Sequence, residues 1–106
     1  SRKAALKALG TRLSRVARKP DAVELVRALA EGLSTYCLSN RALTLEEISL
    51  LLDNTRAPRR ERGVLKECLA SANELLYAPG RRNSRAVKRV ALKARGTVRV
   101  LLRRGL

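Results

Sequence analysis

Apolar residues recur at intervals of three and four along most of the chain, the spacing that places them on one face of an α-helix. The first run is Leu6, Leu9, Leu13 and Val16, with basic residues between them. The apolar composition agrees with this pattern, because 20 Leu and 15 Ala outnumber the nine Val and Ile. Straight-chain residues and alanine lose little side-chain freedom in a helix, whereas β-branched residues fit strands. The sequence therefore predicts an all-α fold, a small bundle of four to five helices.

Capping residues mark where the early helices are expected to begin. Asp21 with Glu24 three residues later predicts a capping box at the start of a second helix, and Thr44 with Glu47 predicts another before a short third helix. Gly32 lies inside the second helix, where a glycine costs up to about 1 kcal/mol relative to alanine. We therefore expect a close contact between helices at Gly32.

Two further helices are expected in the second half of the chain. Residues 56–62 are either a basic connection or, from Pro58, the first turn of the fourth helix. This helix stops at Tyr77–Gly80, since proline cannot continue it. Ser84 is the expected cap of a fifth helix that runs to about Arg103.

Charge divides the chain into three segments. Residues 1–19 carry seven basic and no acidic residues, residues 20–80 carry seven basic and all nine acidic ones, and residues 81–106 carry ten basic and no acidic residues. A length of 106 residues suits one domain. We expect residues 1–80 to form a helical bundle domain, and residues 81–106 to be a basic amphipathic helix or tail that closes the bundle.

Two cationic ends in a chain of net charge +15 indicate attraction to a polyanion, either nucleic acid or the anionic surface of a membrane. The plainer interpretation is a solvated surface without a specific partner. The basic fifth helix can lie on a membrane, dock on a partner or simply close the bundle. The candidate polyanion-binding residues are Arg12, Arg15, Arg18, Arg81, Arg82, Arg85, Lys88, Arg89, Lys93, Arg95 and Arg99.

The residues present argue against catalysis. The chain has no histidine, which excludes Ser-His-Asp and Cys-His arrangements and histidine-containing zinc sites. Cys37 and Cys68 fall in apolar helical stripes, where we expect them to pack as small hydrophobic residues. Glu67 and Glu74 share a helix face but lack the companion ligands of a metal site. The sequence therefore predicts a protein that is not an enzyme, with no cofactor and no metal.

The two aromatic residues, Tyr36 and Tyr77, are expected to pack against the core with solvated hydroxyl groups. An alternative applies to Tyr77, which with Arg81 and Arg82 could form a stacking platform for single-stranded nucleic acid. The longest uncharged stretch, Gly32–Asn40, has nine residues, fewer than the roughly 20 that span a bilayer.

Three motifs follow one another in the middle of the chain. They are a helix with a tyrosine near its end (Leu29, Leu33, Tyr36), the segment Ala42–Ile48, and a helix that finishes with Glu74–Gly80. In this order they resemble the cytoplasmic C-terminal helical region of BatD-like bacterial membrane proteins, over about residues 20–80. In that family a Leu-Thr-x-Glu-Glu-Leu helix start and a Tyr-Ala-Pro helix stop recur in the same order.

The resemblance implies a non-enzymatic module at the cytosolic face of a bacterial inner membrane. It implies periplasmic β-sandwich domains and a membrane helix upstream of Ser1, and a MoxR-type AAA+ ATPase or a von Willebrand A-domain protein as partner. Basic residues at 2–19 also fit a segment just inside a membrane helix. We therefore expect a helical interaction module with its basic ends near anionic lipid.

The alternative function is that of a small basic helical protein that contacts the phosphates of RNA or DNA through Arg and Lys, with little sequence readout. Lys and Arg bind lipid headgroups and nucleic-acid phosphates alike. The sequence leaves both polyanions open.

Overall fold

A computed structural model of the chain describes residues 1–78 and 82–106. Five α-helices and no strand occur in these residues, which confirms the predicted all-α fold. The helices are α1 (Arg2–Arg18), α2 (Ala22–Tyr36), α3 (Leu45–Leu52), α4 (Arg59–Leu75) and α5 (Arg82–Arg103).

The capping pattern fixes the start of α3 as predicted. The Thr44 hydroxyl accepts from the Glu47 backbone N–H at 3.1 Å, and the Glu47 carboxylate accepts from the Thr44 N–H at 3.0 Å. At α2 the capping box is incomplete. The Asp21 carboxylate accepts from the Val23 N–H at 2.8 Å, but the Glu24 carboxylate turns outward and pairs with Arg27 at 2.7 Å.

The prediction that Ser84 caps the fifth helix is wrong, because α5 begins at Arg82 and Ser84 lies in its first turn. Asn83 explains the earlier start. Its side-chain amide donates to the Leu75 carbonyl at 2.9 Å and to the Ala78 carbonyl at 2.5 Å. The amide thus joins the first turn of α5 to the end of α4, where the Leu75 carbonyl also accepts from the Ala78 N–H at 3.3 Å. Helix α4 ends at Leu75, just before the predicted stop at Tyr77–Gly80. Pro79 and Gly80 themselves lie outside the described residues.

The helices form two layers around one apolar core. In one layer α1 packs against α5, and in the other α2 packs against α4, with α3 lying across these two. Helices α1 and α5 run antiparallel, since Gly10 faces Val98 and Ser14 bonds to Arg95. Fully buried leucines on α1, α2 and α4 fill the space between the layers: Leu6, Leu9, Leu13, Leu25, Leu29, Leu33 and Leu65.

Helix α5 contributes to this same core. Val87, Ala91, Ala94, Val98 and Leu101 are at most 1% exposed, and they recur at the three- and four-residue intervals of one helix face. The opposite face of α5 carries its basic residues. The packed face therefore fixes which way those cations point.

Two local expectations about aromatic residues fail. Tyr36 is fully buried, and its hydroxyl donates to the Leu106 carbonyl at 3.0 Å instead of facing water, because the end of α5 covers it. Tyr77 is 81% exposed rather than packed, since α4 ends before it at Leu75. Across the parts of the chain that the structure describes, no helix is both long and apolar enough to cross a membrane.

Candidate polyanion-binding face

The fold brings the two cationic ends of the sequence together as one layer. Helices α1 and α5 are neighbours, and neither contains an acidic residue. All nine acidic residues belong to residues 20–80, which build the layer of α2, α3 and α4. The molecule is therefore electrostatically two-sided.

On the flank of α5 that faces α4, acidic residues oppose the cations. Lys93 pairs with Glu67 at 3.2 Å. Arg89 lines a groove of about 380 Å³ together with Glu67 and Glu74. The positive charge on this flank is offset by the carboxylates of α4.

On the flank of α1 that faces α2, the same compensation occurs. Arg12 pairs with Glu31 at 2.6 Å. Arg15 is exposed and lines a groove that includes Glu24. Lys19 lines the same groove, and the Glu24 carboxylate also pairs with Arg27 at 2.7 Å, so the charge of this flank is only partly offset.

The remaining flanks of α1 and α5 face each other, and their cations form no ion pair with a carboxylate in the described part of the chain. Lys88, Arg95 and Arg99 share one face of α5 at helical spacings of seven and four. On α1 the matching spacing aligns Lys3, Lys7 and Arg18 with Ser14. We call these six basic residues the cationic face: Lys3, Lys7, Arg18, Lys88, Arg95 and Arg99.

A groove of about 670 Å³ follows the junction of α1 and α5 within the cationic face. No acidic residue lines it. Its lining residues are Ser14, Ala17, Arg18, Lys88, Leu92 and Arg95.

Arg95 occupies a special position in this groove. Its Nη1 donates to the Ser14 hydroxyl at 3.4 Å, a long and therefore weak hydrogen bond. Its Nε is buried and has no hydrogen-bond partner among the described residues. Leaving a buried donor unsatisfied costs about 1–3 kcal/mol. The Nε of Arg62 is in the same state, but Arg95 differs in lining a groove that contains no acidic residue.

Some of the polyanion-binding residues predicted from the sequence lie on the cationic face, and others do not. Four of them, Arg18, Lys88, Arg95 and Arg99, lie on the cationic face, whereas Arg12 and Lys93 are held in ion pairs. Arg85 is exposed in the first turns of α5, and Arg82 begins that helix. Arg81 lies outside the described residues.

Sequence analysis missed Lys3, Lys7 and Ser14 as members of this site. Their spacing was the available signal, since positions 3, 7, 14 and 18 fall on one side of a helix. Only the tertiary packing determines that this side of α1 faces α5. No local pattern contains that information.

The remaining reactive groups are unsuited to nucleophilic chemistry. Burial raises the pKa of the Cys68 thiol to about 11, and burial also raises the pKa of the Cys37 thiol. Both thiols are protonated at neutral pH, and the thiolate is the reactive form. In residues 1–78 and 82–106 no group of three His, Cys, Asp or Glu residues is arranged to hold a metal ion.

The fold and the site together define a basic helical bundle with one acid-free cationic face. No protein-family model, curated protein or solved structure matches the chain. Chemically, the face can hold several phosphate groups at once through Lys and Arg donors.

Proposed function

We propose that the protein is a non-enzymatic helical interaction module whose cationic face docks on an anionic membrane surface. The observation that carries the proposal is the packing of two acid-free helices side by side, with the cations between them unopposed. The location that follows is the inner face of a bacterial membrane, as the resemblance to BatD-like proteins implies. Anionic lipids give that surface its negative potential.

The shape of the cationic face favours a membrane over the major groove of a nucleic acid. Reading the major groove requires a helix that projects far enough to enter it. Helix α5 is flanked by α1 on one side and α4 on the other, so it does not project. With 17 and 22 residues, α1 and α5 are about 26 and 33 Å long, and together they present a broad surface.

Electrostatics also sets the strength of the interaction. A Lys or Arg close to an anionic membrane is worth about 1 kcal/mol, so the six residues of the cationic face supply at most about 6 kcal/mol. Among the apolar residues that line the groove beside these cations, Leu92 is the one large side chain that remains substantially exposed, at 36%. We therefore expect reversible docking that weakens as salt is added, without deep insertion into the bilayer.

The opposite layer is then free to meet a protein partner. Leu50 on α3 is 69% exposed, and Glu46 lies on the same outward side of that short helix. The partner implied by the resemblance is a MoxR-type ATPase or a von Willebrand A-domain protein, and this layer is where we propose that it binds.

Vesicle binding with paired variants tests the membrane proposal. Lys88→Gln/Arg99→Gln removes two charges from the cationic face, and Arg27→Gln/Arg59→Gln removes two exposed charges from α2 and α4. We expect the first variant to bind anionic vesicles at least about tenfold more weakly, given about 1 kcal/mol for each charge. The control should bind nearly as the unchanged protein does. Sedimentation with anionic and with neutral vesicles at two salt concentrations measures this.

Tight binding to nucleic acid would contradict the membrane proposal. Titration of labelled RNA and DNA duplexes at about 150 mM salt should give binding no tighter than the micromolar range typical of non-specific contacts. Submicromolar duplex binding without vesicle binding would replace the membrane proposal with the nucleic-acid function. Equal vesicle binding by the two variants would mean that the cationic face is only a solvated surface.

A further inference from the structure

We infer that the groove between α1 and α5 is a binding site for a single phosphomonoester group, held by Arg95 with Arg18 and Lys88. The inference rests on the proposed function, because it names the headgroup chemistry that the cationic face selects when it meets a membrane. The same chemistry occurs in a lipid headgroup and in a free phosphate. The experiment below separates these two sources.

The guanidinium of Arg95 supplies the directional part of the site. Arginine binds phosphate through two parallel N–H groups, which gives more geometric specificity than a point charge. The contact to Ser14 uses Nη1, which leaves Nε and Nη2, whose N–H groups lie along another edge of the planar guanidinium. Since Nε is now covered and unpartnered, ligand binding turns the guanidinium toward the groove, and the weak 3.4 Å bond to Ser14 opposes this movement little.

The charge of the groove fits a phosphomonoester better than a phosphodiester. Three cations line it and no carboxylate does. A phosphomonoester carries a charge of about −1.5 to −2 and three acceptor oxygens near neutral pH, whereas a phosphodiester carries about −1 and two free oxygens. Arg95 accounts for two of the three oxygens, and Arg18 or Lys88 for the third.

Two neighbouring grooves contain carboxylates, whereas the groove between α1 and α5 does not. The groove on the α4 side of α5 is lined by Glu67 and Glu74, and the groove on the α2 side of α1 is lined by Glu24. A carboxylate beside a phosphate is repulsive. A further groove, lined by Arg2, Lys3 and Arg56, also contains no Asp or Glu, but the Arg2 Nε there already donates to the Tyr36 carbonyl at 3.1 Å. The groove between α1 and α5 is the one of these four in which a buried arginine donor lacks a partner among the described residues.

A charge-conserving pair of variants tests the site. Arg95→Lys keeps the charge but removes the two-pronged donor, and Arg59→Lys makes the same change at an exposed position of α4, outside the cationic face. The soluble arm titrates inorganic phosphate and glycerol phosphate at constant ionic strength and follows the backbone amide signals of Ser14 and Leu92 by NMR. The vesicle arm compares phosphatidic acid with phosphatidylglycerol at equal surface charge.

We expect the unchanged protein and Arg59→Lys to prefer phosphatidic acid and to bind phosphate, and Arg95→Lys to lose about tenfold in both measurements. Phosphate binding that Arg95→Lys abolishes, without a preference for phosphatidic acid, would support the site and assign its ligand to the free phosphate. A second variant, Ser14→Asp, places a carboxylate beside Arg95. It should remove phosphate binding even if Arg95→Lys unfolds.

Two outcomes separate this inference from the membrane proposal. Equal binding of both lipids, with Arg95→Lys and Arg59→Lys alike, would overturn the phosphomonoester site, and docking on anionic vesicles would still stand. Phosphate binding in solution without binding to any vesicle would overturn the membrane proposal and leave the site intact.

Discussion

Gly32 lies where α2 crosses α1 most closely. A Cβ atom at this position would lie 2.7 Å from Leu9 Cδ1, 3.0 Å from its Cβ and 3.1 Å from its Cγ. Leu9 is fully buried and cannot swing away. We expect Gly32→Ala to destabilise the fold by about 1–2 kcal/mol, because overpacking costs about 1–3 kcal/mol and exceeds the gain of about 1 kcal/mol in helix propensity. Urea unfolding followed by circular dichroism measures the difference.

The same substitution at Gly63 should have the opposite sign. Gly63 lies inside α4, is exposed, and has no atom within 4 Å of a new Cβ. We expect Gly63→Ala to stabilise the protein by about 0.5–1 kcal/mol, since only helix propensity changes. If both variants lost stability, propensity would not explain the role of glycine in these helices. The close contact predicted at Gly32 is confirmed, whereas Gly63 shows that a glycine inside a helix does not always mark such a contact.

At the scale of the element, α3 depends on a charged cap. The hydrogen bond from the Arg41 side chain, followed by that from the Thr44 backbone, lowers the pKa of Glu47 from its ordinary 4.5 to about 2. A carboxyl group with a lowered pKa stabilises the fold above its unfolded value, and this contribution is lost as the pH falls from about 4.5 through 2. We expect Glu47→Gln to be less stable than the unchanged protein at pH 6 and to lose that difference near pH 2.

Thermal unfolding between pH 6 and pH 2 measures this effect, and NMR titration of the Glu47 carboxyl group gives its pKa directly. Glu46→Gln is the matched control, since Glu46 lies on the same helix, is exposed, and forms no ion pair among the described residues. Equal pH profiles for the two variants would show that the cap does not hold α3 in solution.

The starts of α3 and α5 show which elements the sequence can predict. The cap of α3 is local, because Thr44 and Glu47 bond to each other, and its first residue follows from the pattern alone. The start of α5 depends on Asn83 reaching carbonyls at the end of α4. Contacts between helices leave no periodic signal, so Ser84 was the better candidate on sequence grounds and was nevertheless wrong.

At the scale of the whole molecule, the sequence predicted two cationic ends, but it did not predict that they lie next to each other in the fold. Lys88 and Lys93 look equivalent along the chain, each a lysine on one amphipathic helix. They differ because Lys93 faces Glu67 of α4 whereas Lys88 faces acid-free α1. The antiparallel pairing of α1 with α5 determines which cations are unopposed, and that pairing follows from the topology of the bundle.

The same pairing predicts an unusual response to salt. Two helices without acidic residues lie side by side in a protein of net charge +15, so their cations repel each other in the folded state. Raising NaCl from about 10 to 150 mM shortens the screening length from about 30 to 8 Å. We therefore expect the unfolding temperature to rise by a few degrees over this range. Circular dichroism measured during heating tests this expectation.

The two double variants locate the origin of that repulsion. Lys88→Gln/Arg99→Gln should unfold at a higher temperature than the unchanged protein in low salt and respond less to NaCl, because two mutually repelling charges are gone. Arg27→Gln/Arg59→Gln removes equal charge from the other layer, including one partner of the Arg27–Glu24 ion pair, and should not gain stability. Equal salt responses would place the repulsion in the net charge rather than in the α1–α5 layer. If the first variant is the more stable and also fails to dock on vesicles, the cationic face holds charges that disfavour folding and favour binding, as functional sites commonly do.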